Sequence, residues 1–308
     1  MLFGSTPSIR HKTMTPSCAR VIVSYSGVQS EIAAHRTMES NTTSTSHQTE
    51  AGIYVLVGLA ANCENCAITK DAAPACYSPE LKKRGQMIIS SFSKYPNVLG
   101  FSAGNEIGLV SPEDQSANAP CQKKFIRDMR YWTENCENLR QYPIGAVVAD
   151  IQRTEKRDYY TCEGDDEFES SQWIGLNSYV NCEANVTNVE ESAGFQDIKE
   201  QMGQLTVPLM LTEFGCLNPQ FPTIGGYEAQ RTFSEARWMF EGDLRDVTAG
   251  AFVFEYSTEL ENAIVPYPFE EFSTGNYGIG YFTPGDCDDI DIPCEYVGKP
   301  EFDNLKER

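Results

Sequence analysis

Residues Val98 to Ile107 read VLGFSAGNEI, an apolar strand candidate that runs straight into Gly104-Asn105-Glu106. A second segment, Val207 to Cys216 (VPLMLTEFGC), repeats the device and ends its apolar run at Glu213. In an α/β barrel the C-terminal strand ends form the mouth where active sites sit, so two glutamates far apart in sequence can converge there. The fold is decided by whether the rest of the chain supplies the other strands and the helices between them.

It largely does. From about residue 51, short apolar runs rich in branched residues alternate with amphipathic segments, the pattern of βα units. Further strands are expected at 52–59, 144–149, 173–178 and 249–256. Ser78-Pro79-Glu80 has the composition of a helix start, followed by Leu81, Ile88, Phe92 and Tyr95 on one face. A second helix should bury Phe125, Met129 and Trp132, and a third Phe233, Ala236 and Phe240. The fold class is therefore α/β, a (β/α)8 TIM-type barrel. Before residue 51 only Arg20 to Tyr25 (RVIVSY) reads as a strand, so the barrel is expected to miss or alter its first strands. Residues 37–50 are polar and low in complexity. The domain reading is thus a poorly patterned segment over 1–50, expected to be the least ordered part, and one catalytic barrel domain over 51–308.

A chain of 308 residues is long enough for one such barrel. Its formal charge of −20 disfavours nucleic acid and anionic lipid, and a neutral polymer such as a polysaccharide fits better. No run of about 18 apolar residues is present to span a membrane, and the N-terminus MLFGSTPSIRHKTMTPSCAR lacks the apolar centre of a signal peptide. Eleven cysteines nevertheless point to an oxidising compartment, and their odd number leaves at least one unpaired within the chain. Sequons at Asn41 and Asn185 agree with secretion. Cys63-x-x-Cys66 with Cys76 favours disulfides over a zinc knuckle, because no second CxxC pair accompanies it. The acidic run Glu163 to Glu167 reads as a solvated face rather than a calcium site. No cofactor or metal is expected.

Two glutamates at one mouth suit glycoside cleavage with retention, which needs carboxyl groups about 5 to 5.5 Å apart, one protonated as acid and one ionised as nucleophile. A donor near the sugar 2-hydroxyl strengthens in the transition state, and Asn105 is placed to provide it.

Taken with AGIYVLVGL, YPNVLGFSAGNEI, CEGDDEFESSQWIGLNSYVNCE, PLMLTEFGC, AGAFVFEYS and GNYGIG, these segments make the chain resemble the fungal-type cell-wall β-1,3-glucanosyltransferases, glycoside hydrolase family 72, over about residues 51–308. The resemblance implies Glu106 as general acid/base, Glu213 as nucleophile, Asn105 and Tyr179 as substrate-site residues, and Tyr179 as a group that orients the nucleophile. It also implies a Cys182 to Cys216 disulfide and a bond from Cys162 to Cys287 or Cys294. Where the family often shows Tyr-x-Tyr, this chain has Phe254-Glu255-Tyr256, which keeps Tyr256 as a sugar contact and loses one hydroxyl. The family's upstream arginine and tyrosine motif is not found.

The function so implied is a retaining β-1,3-glucanosyltransferase that cleaves and rejoins β-1,3-glucan chains through a covalent glycosyl-enzyme. Its partners would be glucan donor and acceptor chains, with no protein partner and no nucleic acid. Its place would be the cell surface or wall, without a signal peptide or lipid-anchor tail in this chain. Two alternatives stand beside it: a retaining β-1,3-glucanase, in which water takes the second step, and a non-catalytic wall-binding or inactive truncated homologue.

Overall fold

The computed structural model describes residues 23–25, 53–61, 63–107, 117–164, 166–180, 186–217, 231–240, 242–258, 266–269, 276–286 and 292–308. Seven parallel strands pair in chain order: β1 (Val23–Tyr25), β2 (Val55–Gly58), β3 (Val98–Asn105), β4 (Ile144–Ala149), β5 (Ile174–Asn177), β6 (Leu209–Phe214) and β7 (Thr248–Val253). β1 pairs with β2 through Val23 and Val55, so part of the Arg20 to Tyr25 candidate is a strand. β1 and β7 also approach to Cα separations within 8 Å. The sheet therefore curls toward closure, with seven parallel strands among the described residues.

Helices α1 (Pro79–Phe92), α2 (Ala119–Asn135), α3 (Arg153–Thr161), α4 (Ala193–Met202) and α5 (Ser234–Trp238) connect successive strands. An antiparallel pair, β8 (Gly280–Thr283) and β9 (Glu295–Gly298), leads into the last helix, α6 (Pro300–Lys306). The Ser78 hydroxyl caps α1 by accepting from the Leu81 N–H at 3.1 Å, and Pro79 sits in the first turn, where its missing N–H costs nothing. Leu81, Ile88 and Phe92 are buried as the periodicity requires, as are Phe125 and Met129 of α2. Gly85 lets the two helices touch: a Cβ there would lie 2.5 Å from the Met129 sulfur and 2.9 Å from the Phe125 ring.

The third expected helix is corrected. It ends at Trp238, and Phe240 lies beyond it, 58% exposed. Leu244, in the 3-10 turn Gly242–Asp246, fills the core instead. α3 and α4 were not anticipated, although Phe195, Ile198 and Met202 of α4 are buried at three- and four-residue spacing.

Strand residues alternate between two apolar layers. Val55, Ala146, Val148, Leu209 and Leu211 belong to the large core, which includes helix residues such as Phe125 and Ile198. Leu56, Val147, Met210 and Phe252 form a separate cluster with Trp173, the filled interior expected of a barrel. Gly145 makes room for the indole, since a Cβ at that position would stand 2.4 Å from its ring.

Cys63 bonds Cys66, which removes the zinc reading, and Cys76 bonds Cys121. Cys216 and Cys294 are also disulfide-bonded, each to a partner outside the described residues. The implied bond from Cys162 to a late cysteine is corrected: Cys162 is free and exposed, beside the Lys123 ammonium at 3.0 Å. Cys182, Cys287, Asn41 and Asn185 lie outside the described residues. Among the described residues no helix is long and apolar enough to cross a membrane.

Candidate active site

The parallel register brings the polar strand ends together. Asn177 of β5 pairs with Glu213 of β6, and Ala149 of β4 pairs with Asn177. Asn105 of β3 pairs with Val147, whose carbonyl also accepts from the Glu106 N–H at 3.0 Å. Glu106 itself has φ of 51°, a left-handed backbone that a side-chain-bearing residue adopts at a cost of order 1 kcal/mol. That turn ends β3 abruptly and aims the carboxyl at the mouth.

One amide ties Glu106 to Asn105. The Asn177 Nδ2 donates to Glu106 Oε1 at 3.0 Å and to Asn105 Oδ1 at 3.1 Å, and Asn177 lies opposite Glu213 in the strand register. Its own oxygen accepts from the Thr212 hydroxyl at 2.7 Å, which fixes the amide orientation. On the far side the Tyr179 hydroxyl donates to Glu213 Oε2 at 2.5 Å. The structure therefore gathers Asn105, Glu106, Tyr179 and Glu213 into one cluster. Asn177 is the member that the sequence reading missed; its signal is a polar residue at the end of the apolar run IGLN, two positions before Tyr179.

The electrostatics revise the expected order. Burial pushes the Glu213 carboxyl up to about 7, opposed by the Tyr179 hydrogen bond and reinforced by the charge of Glu106. The group expected to be ionised thus carries a raised affinity for its proton, because loss of hydration outweighs the two donors that favour its charge. Burial and the neighbouring Glu213 charge also raise Tyr179, which keeps the phenol a donor. Beyond Glu106, the Lys156 ammonium is lowered by burial and held up by Glu106 and Asp150. Asp150 in turn accepts from the Ser178 hydroxyl at 2.5 Å and pairs with Arg153.

An aromatic wall backs the Glu213 side. The Tyr179 ring packs against Phe254 at 6.2 Å and Tyr277 at 5.5 Å, measured between centroids. The Phe254 position thus supports Tyr179 through its ring, where a hydroxyl has no part in the packing. Tyr256 takes a different neighbourhood, stacked flat on Tyr296 at 4.3 Å and near Phe282. Glu255 between them is buried, within the electrostatic reach of Lys299. Among the described residues no three His, Cys, Asp or Glu side chains are grouped to hold a metal ion.

Comparison with known proteins identifies the family. The profile of glycoside hydrolase family 72, described as glucanosyltransferase, matches residues 19–267. The 1,3-beta-glucanosyltransferase PGA4 of Candida albicans is 32% identical over 216 residues, 69% of this chain and 44% of that protein. The 1,3-beta-glucanosyltransferase gas1 of Schizosaccharomyces pombe is 29% identical over 229 residues, 73% of this chain and 38% of its own length. The chain thus spans less than half the length of these curated relatives. A structure of Saccharomyces cerevisiae Gas2p in complex with laminaritetraose and laminaripentaose superposes with a TM-score of 0.65 at 21% identity, covering 85% of this chain and 50% of that one. This likeness establishes the fold. With a profile that spans most of the chain and a relative at 32% identity, the chain belongs to the glucanosyltransferase family, glycoside hydrolase family 72.

Proposed function

We propose that this chain is a retaining 1,3-β-glucanosyltransferase in which Glu213 is the nucleophile and Glu106 the general acid/base. The observation that carries the reading is that Asn177, which holds the Glu106 carboxyl, lies opposite Glu213 in the strand register, while the Tyr179 hydroxyl donates to Glu213. In the first step a Glu213 oxygen bonds to the anomeric carbon as the glycosidic C–O bond breaks. Glu106 gives its proton to the departing oxygen. In the second step Glu106 takes the proton of an acceptor hydroxyl, whose oxygen displaces Glu213 and restores a β linkage.

The reactive arrangement needs the charge on Glu213. Burial works against this by favouring protonated Glu213; the Tyr179 and Asn177 donors work for it by favouring charge on Glu213. Asn105, held by Asn177, borders the sugar that would sit between the carboxyls, and Tyr256 offers a contact further along the mouth. The substrates are β-1,3-glucan donor and acceptor chains. The buried Cys76–Cys121 bond and the Cys63–Cys66 bond suit an extracellular or cell-wall location, where disulfides persist.

Incubation with a single laminari-oligosaccharide tests the reading. Products longer than the input are expected from transfer. Only shorter products would make the chain a hydrolase, and an unchanged oligosaccharide would remove the catalytic reading.

A further inference from the structure

Behind the aromatic wall sits a buried arginine that the chemistry above does not use. Arg231 is 1% exposed and pairs with Glu301 of α6, itself 4% exposed, at 3.1 Å. The same carboxylate oxygen accepts from the Arg231 backbone N–H at 3.2 Å. The rest of the guanidinium is spent on backbone carbonyls of three separate segments. Nη1 donates to Gly215 at 3.3 Å and to Phe254 at 2.9 Å, while Nη2 donates to Tyr277. One face of the group lies over the Phe233 ring, 4.9 Å from its centroid.

Each of the three carbonyls leads to the nucleophile. Gly215 is two residues beyond Glu213 and has φ of 117°; a Cβ on it would come within 2.9 Å of the Arg231 Nη1. Phe254 and Tyr277 are the two rings that pack on Tyr179, whose hydroxyl holds Glu213. A planar cation with five donors in a fixed fork can set three loops at once, which neither lysine nor a neutral side chain can do.

We propose that Arg231, anchored by Glu301 on the last helix, is a positioning residue: it fixes the loop after Glu213 and the two rings that seat Tyr179 against the Glu213 carboxylate. The proposal rests on the reading of Glu213 as nucleophile. Relaxing the fork would let Tyr179 drift, weaken its bond to Glu213 and leave Glu213 protonated more often. Misplacement of this kind, remote from the reacting atoms, can lower turnover by about a hundredfold while substrate contacts survive.

The test uses the whole chain with Arg231→Lys and, separately, Glu301→Gln, which keeps the volume and a hydrogen-bond acceptor. Turnover of laminari-oligosaccharides is measured alongside the titration of Glu213 by NMR of 13C-labelled glutamate, the signal being assigned by its loss in Glu213→Gln. The expected result is kcat lower by roughly tenfold or more with KM nearly unchanged, and a Glu213 midpoint moved to higher pH by roughly half a unit or more. An unmoved midpoint with unchanged kcat, or a loss that falls on KM, overturns the proposal. If Arg231→Lys fails to fold, Glu301→Gln decides on the same readouts. If neither yields a cooperative fold, Arg231 is a structural group and the proposal falls. If the native chain does not turn over glucan, the proposed function fails, yet the Glu213 titration in the variants still decides the role of Arg231.

Discussion

Replacing Glu213 by glutamine should abolish activity and stabilise the fold, but only above the pH where the glutamate ionises in the unfolded chain. In the folded chain burial raises this carboxyl from 4.5 to about 7. Between those values the folded state holds a proton that the unfolded state has released, so stability falls as pH rises through this window and is level above it. At 1.36 kcal/mol for each tenfold change in proton affinity, the full loss is up to about 3 kcal/mol. Glutamine keeps the shape and accepts from Tyr179 without a charge to desolvate. For a chain of 308 residues, with an unfolding entropy of about 2.1 cal/mol/K per residue, that energy corresponds to a Tm higher by roughly 5 °C at pH 8. The two Tm values should converge near pH 4.5. Melting curves for both proteins from pH 4 to pH 8 provide the assay. Equal Tm values across the range would refute the reasoning, since Glu213 would then ionise in the fold without penalty.

Tyr179→Phe removes one donor to a charged carboxylate, worth about 1.5 to 3 kcal/mol, so kcat should drop roughly 10- to 100-fold; kcat within twofold of native would deny Tyr179 its role. Because that bond lowers Glu213, the same variant should move the acid limb of the kcat/KM profile to higher pH, and a limb that stays put or moves down would contradict the direction. Removing the Cys76–Cys121 bond, which closes a sequence separation of 45, should cost about 4 kcal/mol by chain entropy, read as a lower denaturant midpoint in a Cys76→Ser, Cys121→Ser double variant; a midpoint unchanged from native would show the bond to be energetically idle.

Much of the barrel was legible because its strands are apolar on alternating faces that are both covered, so Val98 to Ala103 and Leu209 to Leu211 stand out as mostly apolar runs followed within three positions by a glutamate. α1 and α2 were legible from their single buried stripes. α3 was not, since only Tyr160 of its nine residues is buried and its composition is that of a surface segment. Phe240 misled because a hydrophobic residue at helical spacing says nothing of where the helix ends. At the site, the glutamates could be found from strand ends, whereas Asn177 depends on register: it matters because it lies opposite Glu213, and pairing partners are not written in either segment. Arg231 was hidden for a related reason, as its partners Gly215, Phe254, Tyr277 and Glu301 come from four distant segments and three of them contribute only a backbone carbonyl. The free state of Cys162 was equally out of reach, because pairing depends on distances that spacing in the chain does not set.

In the proposed mechanism Glu213 forms a covalent bond to the sugar, which a mechanism-based 2-fluoro laminari-oligosaccharide donor can trap. Such a donor slows release of the glycosyl-enzyme, so the native chain should carry one sugar adduct, located by peptide mass spectrometry on Glu213. Glu213→Gln should carry none, and addition of an acceptor oligosaccharide should discharge the native adduct into a longer product. A label on any other carboxylate, or glucan turnover with no adduct at all, would contradict the account.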